Sequence, residues 1–136
     1  MRANEAVAAI IIYQNKILCM QRGKGKYDYI SYKYEFPGGK MEAGETRTEA
    51  LERELREEMA LEVKVKDEDY YMSIEYAYPD FTVTMHIFIC RVESQVFEIK
   101  EHIDHKWLTR EALMTLDWVP ADMPIIKRLQ EEQEWI

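Results

Sequence analysis

Gly39-Lys40-Met41-Glu42-Ala43-Gly44-Glu45-Thr46-Arg47-Thr48-Glu49-Ala50-Leu51-Glu52-Arg53-Glu54-Leu55-Arg56-Glu57-Glu58-Met59-Ala60-Leu61 is the stretch on which the reading of this chain turns. Thr46, followed three residues later by Glu49, forms a T-x-x-E capping box at the head of a helix. Leu51, Leu55 and Met59 give that helix one apolar stripe and an end near Ala60. Ahead of it, Pro37-Gly38-Gly39 halts a short strand, Tyr34-Glu35-Phe36, and opens a polar loop running to Gly44-Glu45. Glu42, Glu45, Glu49, Glu52, Glu54, Glu57, Glu58 and Glu62 crowd into and around the helix.

At about 100° per residue, Glu54, Glu57 and Glu58 share one arc, and Glu58 lies only about 20° from the Leu51 edge of the apolar stripe. Carboxylates that border a core repel one another and lose hydration, so something positive is expected to compensate them. Arg53 and Arg56 share the helix, but their angular positions point mostly away from the arc. A hard divalent cation, which takes oxygen ligands and bridges carboxylates to phosphates, fits the pattern. On composition alone a solvated acidic face is the commoner origin of such a charge run, and the spacing does not overturn it.

Outward from this segment, Val7–Tyr13 and Lys16–Met20 are apolar runs separated by Gln14-Asn15, a hairpin. Residues 22–33, rich in Gly, Lys and Tyr, read as a mobile basic surface loop. Strands are expected at Leu61–Val65, Tyr70–Tyr78 and Phe81–Val92, the last two joined at Pro79-Asp80, with a weaker strand at Lys106–Leu108. A short helix at Thr109–Thr115 and a final helix carrying Ile125, Ile126 and Leu129, with Asp122 as its candidate N-cap, complete the chain.

A length of 136 residues suits a single domain spanning the whole chain. The 26 acidic against 18 basic side chains, a net charge of −8, argue against a nucleic-acid polymer as partner. The Ala6–Tyr13 run is far too short to span a membrane and lacks a cleavage site, which points to a cytoplasmic protein without a membrane partner. Cys19 and Cys90 each sit in an apolar run and read as buried reduced thiols. His102 and His105 lack further ligands at zinc spacing and read as surface loop residues.

The quoted stretch resembles the Nudix box, G-x5-E-x7-R-E-U-x-E-E-x-G-U, where U is aliphatic. Gly39, Glu45, Arg53, Glu54, Leu55, Glu57, Glu58 and Leu61 fall at the required positions, and Ala60 replaces the last glycine. So many fixed positions make the match specific. Tyr34–Lys40, Glu75–Asp80, Trp107 and Pro120–Pro124 are similar to the matching stretches of MutT-type nucleoside triphosphate pyrophosphohydrolases.

The resemblance implies an α/β fold, the Nudix α/β/α sandwich with a mixed, largely antiparallel sheet. It implies Mg²⁺, with Mn²⁺ as a substitute, held by Glu57 and Glu58 together with the Gly38 carbonyl, Glu54 and Glu101. Glu54 or Glu101 is the implied general base, and Arg22 the implied phosphate contact. Glu45 and Arg53 are implied to brace the loop against the helix. The reaction implied is hydrolysis of a nucleoside triphosphate to a monophosphate and pyrophosphate.

Base choice rests on Asp122 and on Tyr78 and Phe81, which offer an apolar wall. An ionised Asp122 only accepts hydrogen bonds, so it suits an exocyclic amino group. Phe81 stands where the oxidised-guanine enzymes carry arginine, and Pro-Ala-Asp-x-Pro looks closer to relatives acting on cytosine nucleotides. The expected substrate is therefore a cytosine nucleotide. The alternatives are 8-oxo-dGTP, a nucleoside diphosphate derivative such as ADP-ribose, or a Nudix domain that binds nucleotide without cleaving it. A monomer and a homodimer both suit the sequence.

Overall fold

The computed structural model describes residues 2–95 and 97–132. The apolar run at the start of the chain forms the middle of β1 (Arg2–Tyr13), and Val7 to Ile12 are at most 3% exposed. A strand that is apolar at every position must be covered on both faces, and β1 is the spine of a seven-stranded mixed sheet.

On one side β1 pairs antiparallel with β2 (Lys16–Gln21) and with β4 (Gly38–Lys40). On the other side it runs parallel to β6 (Phe81–Arg91), which pairs antiparallel with β5 (Tyr70–Ala77). β3 (Tyr34–Glu35) and β7 (Asp104–Leu108) both flank β2, antiparallel to it. Gln14 and Asn15 turn the first hairpin with φ of 48° and 68°, the left-handed pair a two-residue hairpin requires.

Helix α1 (Arg47–Met59) covers one face of the sheet. Both arms of the Thr46–Glu49 capping box form, and Leu51, Leu55 and Met59 are fully buried against Val7, Ala9 and Ile11. Burial of each such side chain contributes roughly 2 kcal/mol. Helix α2 (Met123–Glu131) covers the opposite face, with Ile125, Ile126 and Leu129 against Ala8, Ile10 and Ile12. Layers on both faces of a mixed sheet give the expected α/β/α architecture. Cys19 and Cys90 are buried free thiols, and burial pushes both up to about 12.

Several local expectations need correction. Leu61–Val65 is not a strand; it lies along α1, with Val65 in the core and its N–H donating to Glu52 Oε2 at 2.8 Å. Pro37-Gly38-Gly39 does not simply open a loop, because Gly38–Lys40 adds a strand to β1 in the register Ala8↔Gly38. Alternation is too short there to show in sequence, and a Cβ on Gly38 would strike the Val7 carbonyl. The Thr109–Thr115 helix is a 3-10 turn over Arg110–Thr115. Ala60 takes the left-handed conformation, φ 51°, that its missing glycine would adopt freely, and its N–H still reaches the Arg56 carbonyl.

Asp122 precedes α2 yet makes no capping hydrogen bond. Its backbone ends a 3-10 turn, Pro120–Asp122, and its side chain is turned inward. Among the described residues, no helix is long and apolar enough to cross a membrane.

Candidate active site

A cavity of about 450 Å³ opens beside β1, β3 and β4, within the range that holds a nucleotide-sized ligand. Glu58, Glu101, Gly38 and Gly39 line one end; Tyr78, Phe81 and Asp122 line the other. Arg22 and Glu35 also line it, and Lys24 and Lys40 place two further cations on its wall. Neither lysine was among the expected site residues, because surface lysines carry no pattern of their own.

The carboxylates of α1 are organised around Arg53. Its guanidinium grips Glu45 with two bonds, Nε to Oε2 at 2.6 Å and Nη2 to Oε1 at 3.0 Å. The same group donates through Nη1 to Glu54 and Glu57, both at 2.9 Å, and through Nη2 to the Lys40 carbonyl at 3.0 Å. These bonds hold Arg53 well above its ordinary pKa and Glu45 below its own, Glu45's bond from Arg53 being the first cause in its case. The helical wheel alone placed Arg53 away from the acidic arc; its long side chain reaches back across it. Glu45 and Arg53 do brace the loop against the helix.

Glu58 is left outside this grip. Its Oε2 is buried with no hydrogen-bond partner. Burial, then the adjacent Glu54 carboxylate, and then the charges of Glu35 and Glu101 push its carboxyl up to about 9. Glu54 lies directly over Gly39, where any Cβ would collide with its carboxylate, so the second glycine is what lets strand β4 approach the helix. Glu57 is more exposed and faces Arg53 away from the cavity lining. Among the described residues no three His, Cys, Asp or Glu side chains are already gathered around one point, and Arg53 occupies one oxygen each of Glu54 and Glu57. An orphaned buried carboxylate oxygen beside a second carboxylate nevertheless fits a hard cation, which prefers such donors.

At the opposite end, Asp122 is 3% exposed, and the Phe36 N–H donates to its Oδ2 at 3.0 Å. The chain brings these residues together through pairing beside β3: Tyr34 N–H donates to the Asp117 carbonyl, and Val119 N–H to the Tyr34 carbonyl. Burial first, then Glu35, raise the Asp122 carboxyl to about 8. Such a carboxyl holds its proton to higher pH than an exposed aspartate and, while protonated, offers a donor as well as an acceptor. The expectation of an acceptor-only carboxylate took no account of this burial, which sequence spacing does not reveal.

Tyr78 and Phe81 line the same cavity as Asp122, and Tyr78 also has a structural bond. Its hydroxyl accepts the Ala121 N–H at 3.0 Å and so fixes the turn that carries Asp122. The loop 22–33 is closed on itself, not simply a surface excursion, with Arg22 N–H donating to the Lys33 carbonyl. It folds onto the β5–β6 hairpin as a box of four rings: Tyr29 stacks on Tyr78 and on Tyr27, and Phe81 touches both Tyr27 and Tyr78. The Tyr29 hydroxyl donates to Asp80 at 2.8 Å. Three tyrosines in that loop, Tyr27, Tyr29 and Tyr32, were the only signal in the sequence for this box.

Glu35 and His102 were absent from the expected site. Glu35 accepts from Arg22 Nη1 at 3.0 Å and from His102 Nε2 at 2.9 Å. The His102 side chain is only 6% exposed, which corrects its reading as a surface residue; His105 is exposed.

Residues 3–129 match the NUDIX domain family. The chain is 32% identical over 126 residues to an 8-oxo-dGTP diphosphatase of Escherichia coli K12, covering 92% of this chain and 94% of that one. It is also 32% identical over 127 residues to the CTP pyrophosphohydrolase of the same organism, covering 93% and 91%. The solution structure of the E. coli ORF135 protein superposes with a TM-score of 0.80 at 30% identity, covering 98% of this chain and 96% of that one.

Proposed function

This chain belongs to the Nudix family as a MutT-like hydrolase, and from that premise we propose that it hydrolyses a nucleoside triphosphate, preferentially a cytosine nucleotide, to the monophosphate and pyrophosphate with the help of Mg²⁺. The observation that carries this reading is a single cavity lined both by Glu58, whose buried Oε2 has no hydrogen-bond partner, and by Asp122, a buried carboxyl whose Oδ2 accepts from the Phe36 N–H.

Glu57 and Glu58, with the Gly38 carbonyl, Glu54 and Glu101, would hold the cation. When bound, such an ion neutralises phosphate charge and favours attack at phosphorus. Arg22, Lys24 and Lys40 draw the phosphate chain along the cavity wall. Glu54 or Glu101 takes a proton from the attacking water. Water oxygen then bonds to phosphorus as the bridging P–O bond breaks, and pyrophosphate leaves.

At the base end, a protonated Asp122 accepts from Phe36 N–H with one oxygen and donates from the other. An acid of this kind complements an edge with an acceptor beside a donor, as in N3 and the N4 amino group of cytosine. The edge O6 and N1–H of guanine has the same pattern. The equal identity to an 8-oxo-dGTP diphosphatase favours oxidised guanine as the second reading.

The test is pyrophosphate release with Mg²⁺ from CTP, dCTP, 5-methyl-dCTP, dGTP, 8-oxo-dGTP, dATP and dTTP, with AMP release measured in parallel from ADP-ribose. Cytosine nucleotides are expected to give the highest kcat/KM. Turnover of 8-oxo-dGTP above all others would replace the base assignment, and turnover of ADP-ribose alone would overturn the triphosphate reading.

A further inference from the structure

The segment that carries Glu101 enters the sheet at β7 and is fastened at two successive residues. Ile103 N–H donates to the Gln21 carbonyl at 2.9 Å, and the His102 ring donates through Nε2 to Glu35 Oε2 at 2.9 Å. A carboxylate only accepts, so the proton of this bond sits on Nε2. The other Glu35 oxygen takes Arg22 Nη1. One carboxylate on β3 thus ties together the end of β2, which carries Arg22, and the segment presenting Glu101 to the cavity.

A bond from a group 6% exposed to a partner 22% exposed is shielded from water on both sides. Ile103, whose Cγ2 would touch a Cβ on Gly23, leaves the segment no other buried side-chain anchor next to Glu101. On the other side of Glu101 the backbone is next held at Glu98, whose N–H donates to the Met59 carbonyl at 2.8 Å, so without the His102 bond the stretch that carries Glu101 would be tied only at residues 98 and 103.

We propose that His102 is a positioning residue, which through its bond to Glu35 holds Glu101 at the cation end of the cavity while Glu35 holds Arg22 beside it. This rests on the assignment of Glu101 to cation binding made above. Support of this kind, one shell behind a ligand, typically governs affinity or activity by about 10- to 100-fold.

The test uses the full chain and reads Mn²⁺ binding to the nucleotide-free protein by calorimetry, together with kcat and KM separately. His102→Ala is expected to weaken Mn²⁺ binding about 10-fold and to lower kcat by about 10- to 100-fold, with the nucleotide KM nearly unchanged. His102→Gln, whose amide donates from a similar reach, is expected to restore both. His102→Asn, polar but too short for Glu35, should behave like His102→Ala and serves if the alanine variant does not fold. Unchanged Mn²⁺ affinity and kcat in His102→Ala or His102→Asn, with only a lower Tm, would overturn the proposal, as would a His102→Gln variant no better than His102→Ala. Glu101→Gln separates the two claims. Lost Mn²⁺ affinity there, without loss in His102→Ala, removes the positioning role alone, whereas an unchanged affinity removes the Glu101 assignment itself.

Discussion

Behind one wall of the cavity three carboxylates, Glu45, Glu54 and Glu57, are bonded to a single guanidinium, and the adjacent Glu58, which lines the cavity, keeps Oε2 without a hydrogen-bond partner. At the other end one carboxyl, Asp122, is sealed among aromatic and apolar side chains with a single backbone donor. Both ends must manage negative charge away from water. The first does it by sharing one guanidinium among three carboxylates, with Glu58, pushed up to about 9, holding a proton that a divalent cation would displace; the second does it with a raised carboxyl alone. The difference matches two tasks, holding phosphates through positive charge and reading a base edge through directed hydrogen bonds.

The largest departure is expected from breaking the shared cation. Arg53→Ala should lower kcat about 100-fold, since the carboxylates it orients lose their common partner. Steady-state kinetics with Mg²⁺ titration checks this; an unchanged kcat would mean that the glutamates are placed by the helix alone.

Asp122→Asn comes next and should change the ratio of kcat/KM between cytosine and guanine nucleotides about 10-fold while changing the best kcat much less. The same substitution has a pH signature. The folded Asp122 binds its proton up to about 8, the unfolded one only to its ordinary value of 3.8. The folded state therefore holds more protons in that window, and this contribution to stability is complete below about pH 4 and lost as pH rises to about 8. Melting curves from pH 5 to 9 should fall less steeply for Asp122→Asn than for the parent; parallel curves would show that the group does not keep its proton.

Removing a ring from the aromatic box is a milder test of the base end. Tyr29→Ala should raise KM a few-fold through loss of the stack on Tyr78, with Tyr29→Phe retaining most of it, because the Asp80 bond is exposed. Equal effects in the two variants would assign the box to the hydroxyl bond instead. Smallest of all, Ala60→Gly should stabilise the chain by about 1 kcal/mol by relieving the left-handed alanine, with no change in kinetics. A calorimetric Tm that fails to rise would show that this helix end carries no strain.

The same contrast explains what could be read in advance. The phosphate end is built largely on one helix and the loop before it, so capping, apolar period and glutamate spacing are local signals. Even there, the reach of Arg53 and the strand made by Gly38–Lys40 depended on packing against β1. The base end joins residues far apart in sequence, Asp122 to Phe36 and Tyr29 to Tyr78, and the support behind Glu101 does the same, joining His102 to Glu35. Asp122 was noticed as a residue before a helix, where capping was as good an explanation as base reading, and only its burial decided against the cap. Leu61–Val65 misled for the converse reason, since its apolar alternation serves packing on α1, not a sheet ladder.

Pyrophosphate release measured against Mg²⁺ concentration for the parent chain and for Glu58→Gln tests most directly whether the surplus acid is a cation site. The parent should show turnover that saturates with Mg²⁺ and vanishes in chelator, and Glu58→Gln should lose on the order of 10³-fold in kcat with its Tm retained. Turnover in chelator, or a Glu58→Gln variant as active as the parent, would contradict the assignment.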